Sequence, residues 1–272
     1  MIASLLKGFQ EELKHASAEG RSVEVWWRDD DAVRAGPALE RLLRLSAEVG
    51  APLAIAASPA LVEPSLPERV AGEADVVTLV HGFRHANHAP AGERSAEYGS
   101  HRSLATLTAE LRGALACAQR LFGAQAAPIF VPPWNRIAPA LPAMLPDLGY
   151  RALSAFSTGP DDAADGCARL HTHLDPVDWR GGRSLLDEPI LLRQWRRALS
   201  APAGPVGLLT HHLAFDETLW SFARELLGLL ADHPAVRLRS APSLLAAAEP
   251  SSAPALTGSI CGRGRLLPEL VA

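Results

Sequence analysis

The sequence predicts an α/β fold, namely a deformed (β/α) barrel of about seven parallel strands. Short apolar runs alternate with segments of helical periodicity, which is typical of repeated β-α units. The 272 residues provide about seven such units, and charged residues directly follow the apolar runs at several places. An open doubly wound sheet is the alternative arrangement. Residues 1–248 contain no internal repeat and no linker, so we expect one domain there.

Seven short apolar runs that alternate with helical segments are predicted to form the strands. In chain order they are Val23–Trp27, Leu53–Ala56, Val76–Val80, Pro128–Val131, Ala152–Ala155, Val206–Leu209 and Val236–Leu238.

Helices are predicted between these strands from apolar residues three and four positions apart. The N-terminal segment repeats apolar residues at this spacing, and so do Pro37–Val49 and Leu104–Phe122. Asp216 precedes a further periodic segment and is placed to cap it. Beyond Glu249 the periodicity ends and Pro, Ser and Gly accumulate, so residues 249–272 are expected to form a loosely packed tail.

Composition excludes several classes of protein. The formal net charge of −4 argues against a nucleic-acid binder, which usually carries a basic excess. Three distant cysteines argue against a disulfide framework or a cysteine zinc site. No segment reaches the roughly 18 apolar residues of a membrane span, and none resembles a signal peptide. We therefore expect a cytoplasmic protein with a small-molecule or carbohydrate partner, while its oligomeric state is left open.

The run Asp29-Asp30-Asp31 follows the first predicted strand. Adjacent carboxylates repel one another and lose hydration where a site closes, so a cation stabilises them. An exposed acidic turn that caps the next helix is an equally good explanation for this run taken alone.

His81 and His85 follow the third predicted strand at a spacing of four, with Gly82 between them and His88 nearby. Both imidazoles can reach one ion, although surface histidines at this spacing are common. Together with an aspartate from a neighbouring strand end they predict a two-His, one-Asp site. Such a ligand set suits one divalent ion, with Zn²⁺ expected and other transition ions possible.

Two further segments lie at predicted strand ends, and a third lies near a weak strand. Pro133, Trp134 and Arg136 belong to a stiff loop whose aromatic ring suits a sugar or another flat face, or else forms a packed turn. Asp175, Asp178 and Trp179 form the pattern Asp-Pro-Val-Asp-Trp, which taken alone favours a turn. His211 leaves a buried strand and is suited to general acid catalysis, or to a structural hydrogen bond.

The order of these five segments resembles the polysaccharide deacetylase family, the NodB-homology domain. The resemblance runs from about Val23 to about His212. It implies a barrel of the NodB deacetylase type, with Asp30 as base and Asp31, His81 and His85 as metal ligands. Asp29 could shift this register by one residue.

The same resemblance implies roles for the later segments. His211 would be the acid, and Asp175 or Asp178 would hold a catalytic side chain in place. Pro133, Trp134, Arg136 and Trp179 would contact substrate.

Two departures from the family pattern stand out. Val131 replaces the third-motif arginine that orients the catalytic aspartate, and Arg136 is the only candidate near that motif. Ala32 replaces the glycine that usually follows Asp-Asp. The resemblance implies hydrolysis of a C–N amide bond, with an N-acetylated amino sugar as substrate. A non-sugar amide or an ester at the same site is one alternative, and a catalytically silent glycan-binding barrel is another.

Overall fold

A computed structural model of the chain describes residues 2–157, 167–200 and 204–248. The predicted tail, residues 249–272, lies outside the described residues. The helices are α1 Ile2–Ala18, α2 Pro37–Val49, α3 Ser65–Val70, α4 Leu104–Phe122, α5 Glu188–Ser200, α6 Glu217–Asp232 and α7 Ala241–Ala248. The strands are β1 Val23–Ala32, β2 Leu53–Ala57, β3 Val76–His81, β4 Ala126–Val131, β5 Ala152–Leu153, β6 Ala168–Arg169, β7 Val206–Thr210 and β8 Val236–Leu238.

All strands belong to one parallel sheet in the order β6-β5-β4-β3-β2-β1-β7. The eighth strand, β8, pairs with the start of β1, while β7 pairs with its later part. The sheet curls into a deformed barrel, which confirms the predicted fold class. In the part of the chain that the structure describes, no helix is long and apolar enough to cross a membrane.

The segment that follows β6 joins the two ends of the curled sheet. Thr172 forms a parallel bridge with Phe156 beyond β5, and Leu174 forms one with Leu208 on β7. Gly207 lies against this segment so closely that an added Cβ atom would stand 2.6 Å from the Cα of Thr172. A residue without a side chain is therefore required at this junction.

Alternation along β1 sends neighbouring side chains to opposite faces of the sheet. Trp27 packs in the large core between the sheet and the helices. Trp26 packs instead with residues of β2, β3 and β4, and its Nε1 donates to the carbonyl of His171 inside the barrel. Leu244 and Leu245 of α7 belong to the same interior cluster. Charged residues that share the face of Trp26 consequently point into the barrel.

Candidate active site

A cavity of about 650 Å³ lies at the carboxyl ends of the strands. Of the eleven side chains that the sequence singled out, nine line it: Asp30, Asp31, His81, His85, Trp134, Arg136, Asp175, Trp179 and His211. Strand ends of a parallel barrel meet at one rim, and the structure brings these residues together there.

Asp31, His81 and His85 form the only group of three potential ligands within mutual reach among the described residues. Their ligand atoms lie within 4.8 Å of one another. The Oδ1 atom of Asp31 is 3.2 Å from Nε2 of His81 and 3.4 Å from Nε2 of His85. Donor atoms of a tetrahedral zinc site stand roughly 3.3 Å apart, given metal–ligand bonds of about 2.0 Å. The donor set and these two separations therefore fit a divalent ion such as Zn²⁺.

The backbone and a neighbouring carbonyl orient these potential ligands. Nδ1 of His81 lies 3.1 Å from the carbonyl oxygen of Val131, to which a protonated Nδ1 donates. This tautomer leaves the lone pair of Nε2 directed toward Asp31, as metal-binding histidines require. Asp31 and His85 both adopt positive φ angles, 71° and 50°, which turn their side chains into the cavity.

The three potential ligands influence one another's protonation. Burial alone would raise the pKa of Asp31, but the nearby imidazoles, first of all His81, hold it well below its usual range. Burial opposes the charge on His81, yet the contact with Asp31 leaves the pKa of His81 raised. Burial and the neighbouring His81 lower the pKa of His85.

Asp30 is held by an arginine that the sequence analysis did not identify. Arg28 donates from Nε to Oδ1 of Asp30 at 2.8 Å and from Nη2 to Oδ2 at 2.9 Å. Its remaining Nη1 donates to the hydroxyl of Ser154 at 2.5 Å. Arg28 is completely buried. The sequence left open which residue replaces the third-motif arginine, with Arg136 as the only candidate near that motif. In the structure Arg28, and not Arg136, is the arginine paired with Asp30.

Arg28 could have been found from strand alternation, since residues two apart on a strand share a face. Arg136 instead donates to the carbonyl of Ser95 at 2.6 Å and lines the wall of the cavity.

Asp29 points away from the cavity, to the other face of β1. Its Oδ2 accepts from the hydroxyl of Thr210 at 2.6 Å and from the backbone amide of His212 at 3.0 Å. Its Oδ1 lies 2.5 Å from Nδ1 of His212. Burial opposes charge on His212, but Asp29 leaves the pKa of that imidazole raised. Asp30 and Asp31 therefore face the cavity, whereas Asp29 is hydrogen-bonded to Thr210 and His212 on the other face of β1.

His211 directly follows β7, which lies three strands from β3 in the sheet order. The ring of Trp179 meets it edge-on with centroids 4.6 Å apart. Trp179 in turn donates from Nε1 to Oδ2 of Asp175 at 2.8 Å. Burial raises the pKa of Asp175. Nδ1 of His211 is buried and finds no hydrogen-bond partner in the described parts of the chain.

Two of the predicted residues lie outside the cavity lining. Asp178 closes a turn, because its Oδ1 accepts from the amides of Arg180 and Gly181. Pro133 is buried against Gly82, where an added Cβ would stand 2.6 Å from the Cγ of Pro133. Trp134, beside it, has a positive φ of 55° and packs its ring 4.3 Å from that of His85. The loop thus presents Trp134, rather than Pro133, to the cavity.

Solved structures with the same fold cover most of the chain. One from Mycobacterium smegmatis, assigned as a polysaccharide deacetylase, is 15% identical with a TM-score of 0.62, over 92% of this chain and 96% of its own. The allantoinase Puue is 11% identical with a TM-score of 0.58, and the match covers 82% of this chain and 89% of the allantoinase. A family 4 acetyl xylan esterase from Clostridium thermocellum, solved with a cobalt ion, is 12% identical with a TM-score of 0.52, over 82% and 91%.

At these identities the similarity establishes the fold, which is the deformed barrel of the polysaccharide deacetylase type. No protein-family model matches the chain, and a search of curated proteins finds no relative.

Proposed function

We propose that this protein is a metal-dependent hydrolase that removes the acetyl group from an N-acetylated amino sugar or oligosaccharide. One observation carries the proposal. A two-His, one-Asp ligand set opens into the same cavity as a carboxylate that a buried arginine holds and a histidine suited to proton transfer. The fold shared with a structure assigned as a polysaccharide deacetylase supports the choice of substrate bond.

Asp31, His81 and His85 are the residues that would hold the ion. A divalent ion bound there would lower the pKa of a water molecule and polarise the carbonyl of the substrate. Asp30 takes a proton from water as the oxygen attacks the amide carbon, while Arg28 keeps the carboxylate in place. His211 donates a proton to the nitrogen as the C–N bond breaks, giving acetate and an amine.

The remaining lining residues bind and orient the substrate. Trp134 presents a ring beside His85, which suits the apolar face of a sugar. Trp179 lies against the proposed acid, and Asp175 fixes its indole through the Nε1 hydrogen bond. Asp175 therefore positions His211 indirectly, and Arg136 offers a hydrogen-bond donor on the cavity wall.

A second candidate function is hydrolysis of an ester or of a non-sugar amide at the same site. This candidate is supported by the presence of an esterase and an allantoinase among the structures with this fold. A catalytically silent glycan-binding barrel is less well supported, because ligands, base and acid are all present.

Substitution of the base tests the proposal. Asp30→Asn should lower deacetylation by at least about 100-fold, since general base catalysis contributes that much or more. Bound zinc, measured by elemental analysis, should remain near one ion per chain because Asp31 and both histidines are intact. Loss of the ion instead would show that Asp30, and not Asp31, is the ligand.

The substrate class is tested by acetate release from paired N-acetylated and O-acetylated sugars and from small amides, with and without added zinc. Zinc-dependent release from N-acetyl sugars supports the proposal, and release confined to esters or small amides selects the second candidate. Absence of hydrolysis throughout the panel, with binding of the same sugars, would select the silent barrel.

A further inference from the structure

A buried carboxylate lies behind the loop that joins the two histidine ligands. Glu97 is only 1% exposed. Its Oε1 accepts from the backbone amide of Arg84 at 2.7 Å, and its two oxygens share the amide of Phe83 at 3.3 and 3.4 Å. Both amides belong to residues between His81 and His85. Glu97 does not line the cavity and has no part in the proton transfers described above.

The ligand loop needs such support because its backbone is bent in two places. Gly82 and His85 both have positive φ angles, 62° and 50°. A non-glycine residue in this conformation costs energy that the surroundings must offset. An added Cβ at Gly82 would collide with Oε2 of Glu97, so loop and carboxylate are fitted to each other.

The segment that carries Glu97 is itself firmly anchored. The amide of Ala96 donates to the side chain of Asn87, and Tyr98 bridges to Ile137 and packs its ring against Phe130. The backbone carbonyl of Glu97 accepts from Arg102. Arg102 also makes two hydrogen bonds with Glu110 of α4, at 2.6 and 2.8 Å. A series of hydrogen bonds therefore connects α4 with the loop between His81 and His85.

We infer that Glu97 is a positioning residue for the metal centre, which fixes the spacing of His81 and His85 by holding the amides of Phe83 and Arg84. The inference rests on the metal-dependent function proposed above. Groups behind the ligands of a metal site commonly change its affinity by about 10- to 100-fold when they are removed. Here the support acts on the loop backbone rather than on an imidazole nitrogen.

Metal affinity of the full-length apoprotein tests the inference directly, with Zn²⁺ and Co²⁺ as the probes in calorimetric titrations. Glu97→Ala should weaken binding by about 10- to 100-fold. Glu97→Gln should weaken it less, because one amide oxygen still accepts from Arg84. Glu93→Ala is the matched control, because Glu93 is an exposed glutamate four residues before Glu97 in the same loop. This substitution should leave the metal affinity unchanged.

Two further measurements separate positioning from general stability. Thermal unfolding of the apoproteins reports a purely structural role, whereas the visible absorption spectrum of bound Co²⁺ reports ligand geometry. If Glu97 positions the ligand loop, Glu97→Gln should bind Co²⁺ more weakly and give an altered spectrum. This substitution is the smaller one, so the variant should fold even if Glu97→Ala does not.

Tight binding by the unsubstituted protein, with unchanged affinity and spectrum in the Glu97 variants, would overturn this inference alone. Failure of the unsubstituted protein to bind either ion would overturn the proposed function together with it.

Discussion

The three adjacent aspartates of β1 have three different partners because side chains alternate along a strand. Asp30 shares the interior face with Arg28 and forms a buried ion pair with it. Asp29 faces the opposite way and bonds to Thr210 and His212. Asp31 lies at an irregularity of β1 between Asp29 and Ala32, and its positive φ turns it to the histidines. The three carboxylates are therefore adjacent in the sequence, but each contacts its own arginine, histidine or hydroxyl partner in the folded protein.

Removal of Arg28 should harm both stability and catalysis. Arg28→Met leaves the carboxylate of Asp30 buried without its partner, and such a change costs about 3–5 kcal/mol of unfolding free energy. Denaturant unfolding measures this loss. The double variant Arg28→Met/Asp30→Asn should recover part of it, because no buried charge is left uncompensated.

Arg34→Met provides the control for this experiment. Arg34 is 66% exposed and lies 3.5 Å from Glu63, and exposed pairs contribute about 0–1 kcal/mol. Equal losses in Arg28→Met and Arg34→Met would contradict the assigned role of Arg28.

Side chains whose chemistry is expressed by local spacing could be predicted from the sequence. The four-residue spacing of His81 and His85 and the position of Asp31 at a strand end predicted the three side chains that the structure brings within reach of one another. Glu97 could not be predicted, because its contact with the ligand loop depends on how residues 86–97 fold back. Asp178 matched a family motif, but its carboxylate is engaged by the backbone of its own turn.

At the scale of elements, closure of the barrel depends on one glycine. Gly207→Ala should destabilise the protein by more than about 1 kcal/mol, since overpacking a tight site typically costs 1–3 kcal/mol. The added methyl group would meet Thr172 and the indole nitrogen of Trp26, 2.6 and 2.7 Å away, and both belong to packed structure.

Gly228→Ala is the matched control within α6. No atom lies within 4 Å of a Cβ added there, and alanine is favoured over glycine inside a helix by up to about 1 kcal/mol. The two substitutions should therefore change the unfolding free energy in opposite directions. If both variants lose unfolding free energy, the loss in Gly207→Ala is not explained by the close contacts of Gly207.

His173 makes the same junction sensitive to acid. Its Nδ1 accepts from the amide of Gly207 at 3.0 Å, and burial, followed by the nearby His171, lowers its pKa to about 4. In the unfolded chain the pKa of this imidazole is about 6.5. Between pH 6.5 and pH 4 the unfolded chain therefore binds a proton that the folded chain does not, and the free energy of unfolding falls as the pH drops. From pH 7 to pH 5 the loss attributable to His173 is about 2 kcal/mol.

His173→Asn removes the titrating group while its side-chain oxygen can still accept from Gly207. The variant should lose less unfolding free energy than the unsubstituted protein when urea titrations at pH 7 and pH 5 are compared. Parallel losses in the two proteins would assign the acid sensitivity to other groups.

Most elements were predicted from their apolar patterns. The bounds of α2 and α4 and the cap by Asp216 are confirmed, and all seven predicted strands are present, although β1 extends to Ala32 and β5 ends at Leu153. The two-residue strand β6 was missed, because its pairing is set by its neighbours rather than by an apolar run. Helix α5 was also missed, although Leu191, Trp195 and Ala198 bury one face at helical spacing.

At the scale of the whole molecule, the site is assembled from segments that are distant in sequence. The proposed ligands lie on β1, at the end of β3 and in the loop after β3, and the proposed acid directly follows β7. These three strands end at one rim. Unfolding separates these groups. An ion that needs Asp31, His81 and His85 together therefore binds the folded chain alone, and its binding free energy adds to stability.

Zinc should consequently raise the unfolding temperature of the apoprotein. At a free concentration about 100 times the Kd the gain is about 2.7 kcal/mol, or roughly 5–10 °C for a chain of this size. His85→Ala should abolish most of this shift, because it removes one of three ligands. His88→Ala should retain the full shift, since His88 is exposed and stands outside the ligand group. Scanning calorimetry of the three proteins with and without zinc checks this, and an equal shift in His85→Ala would place the ion elsewhere.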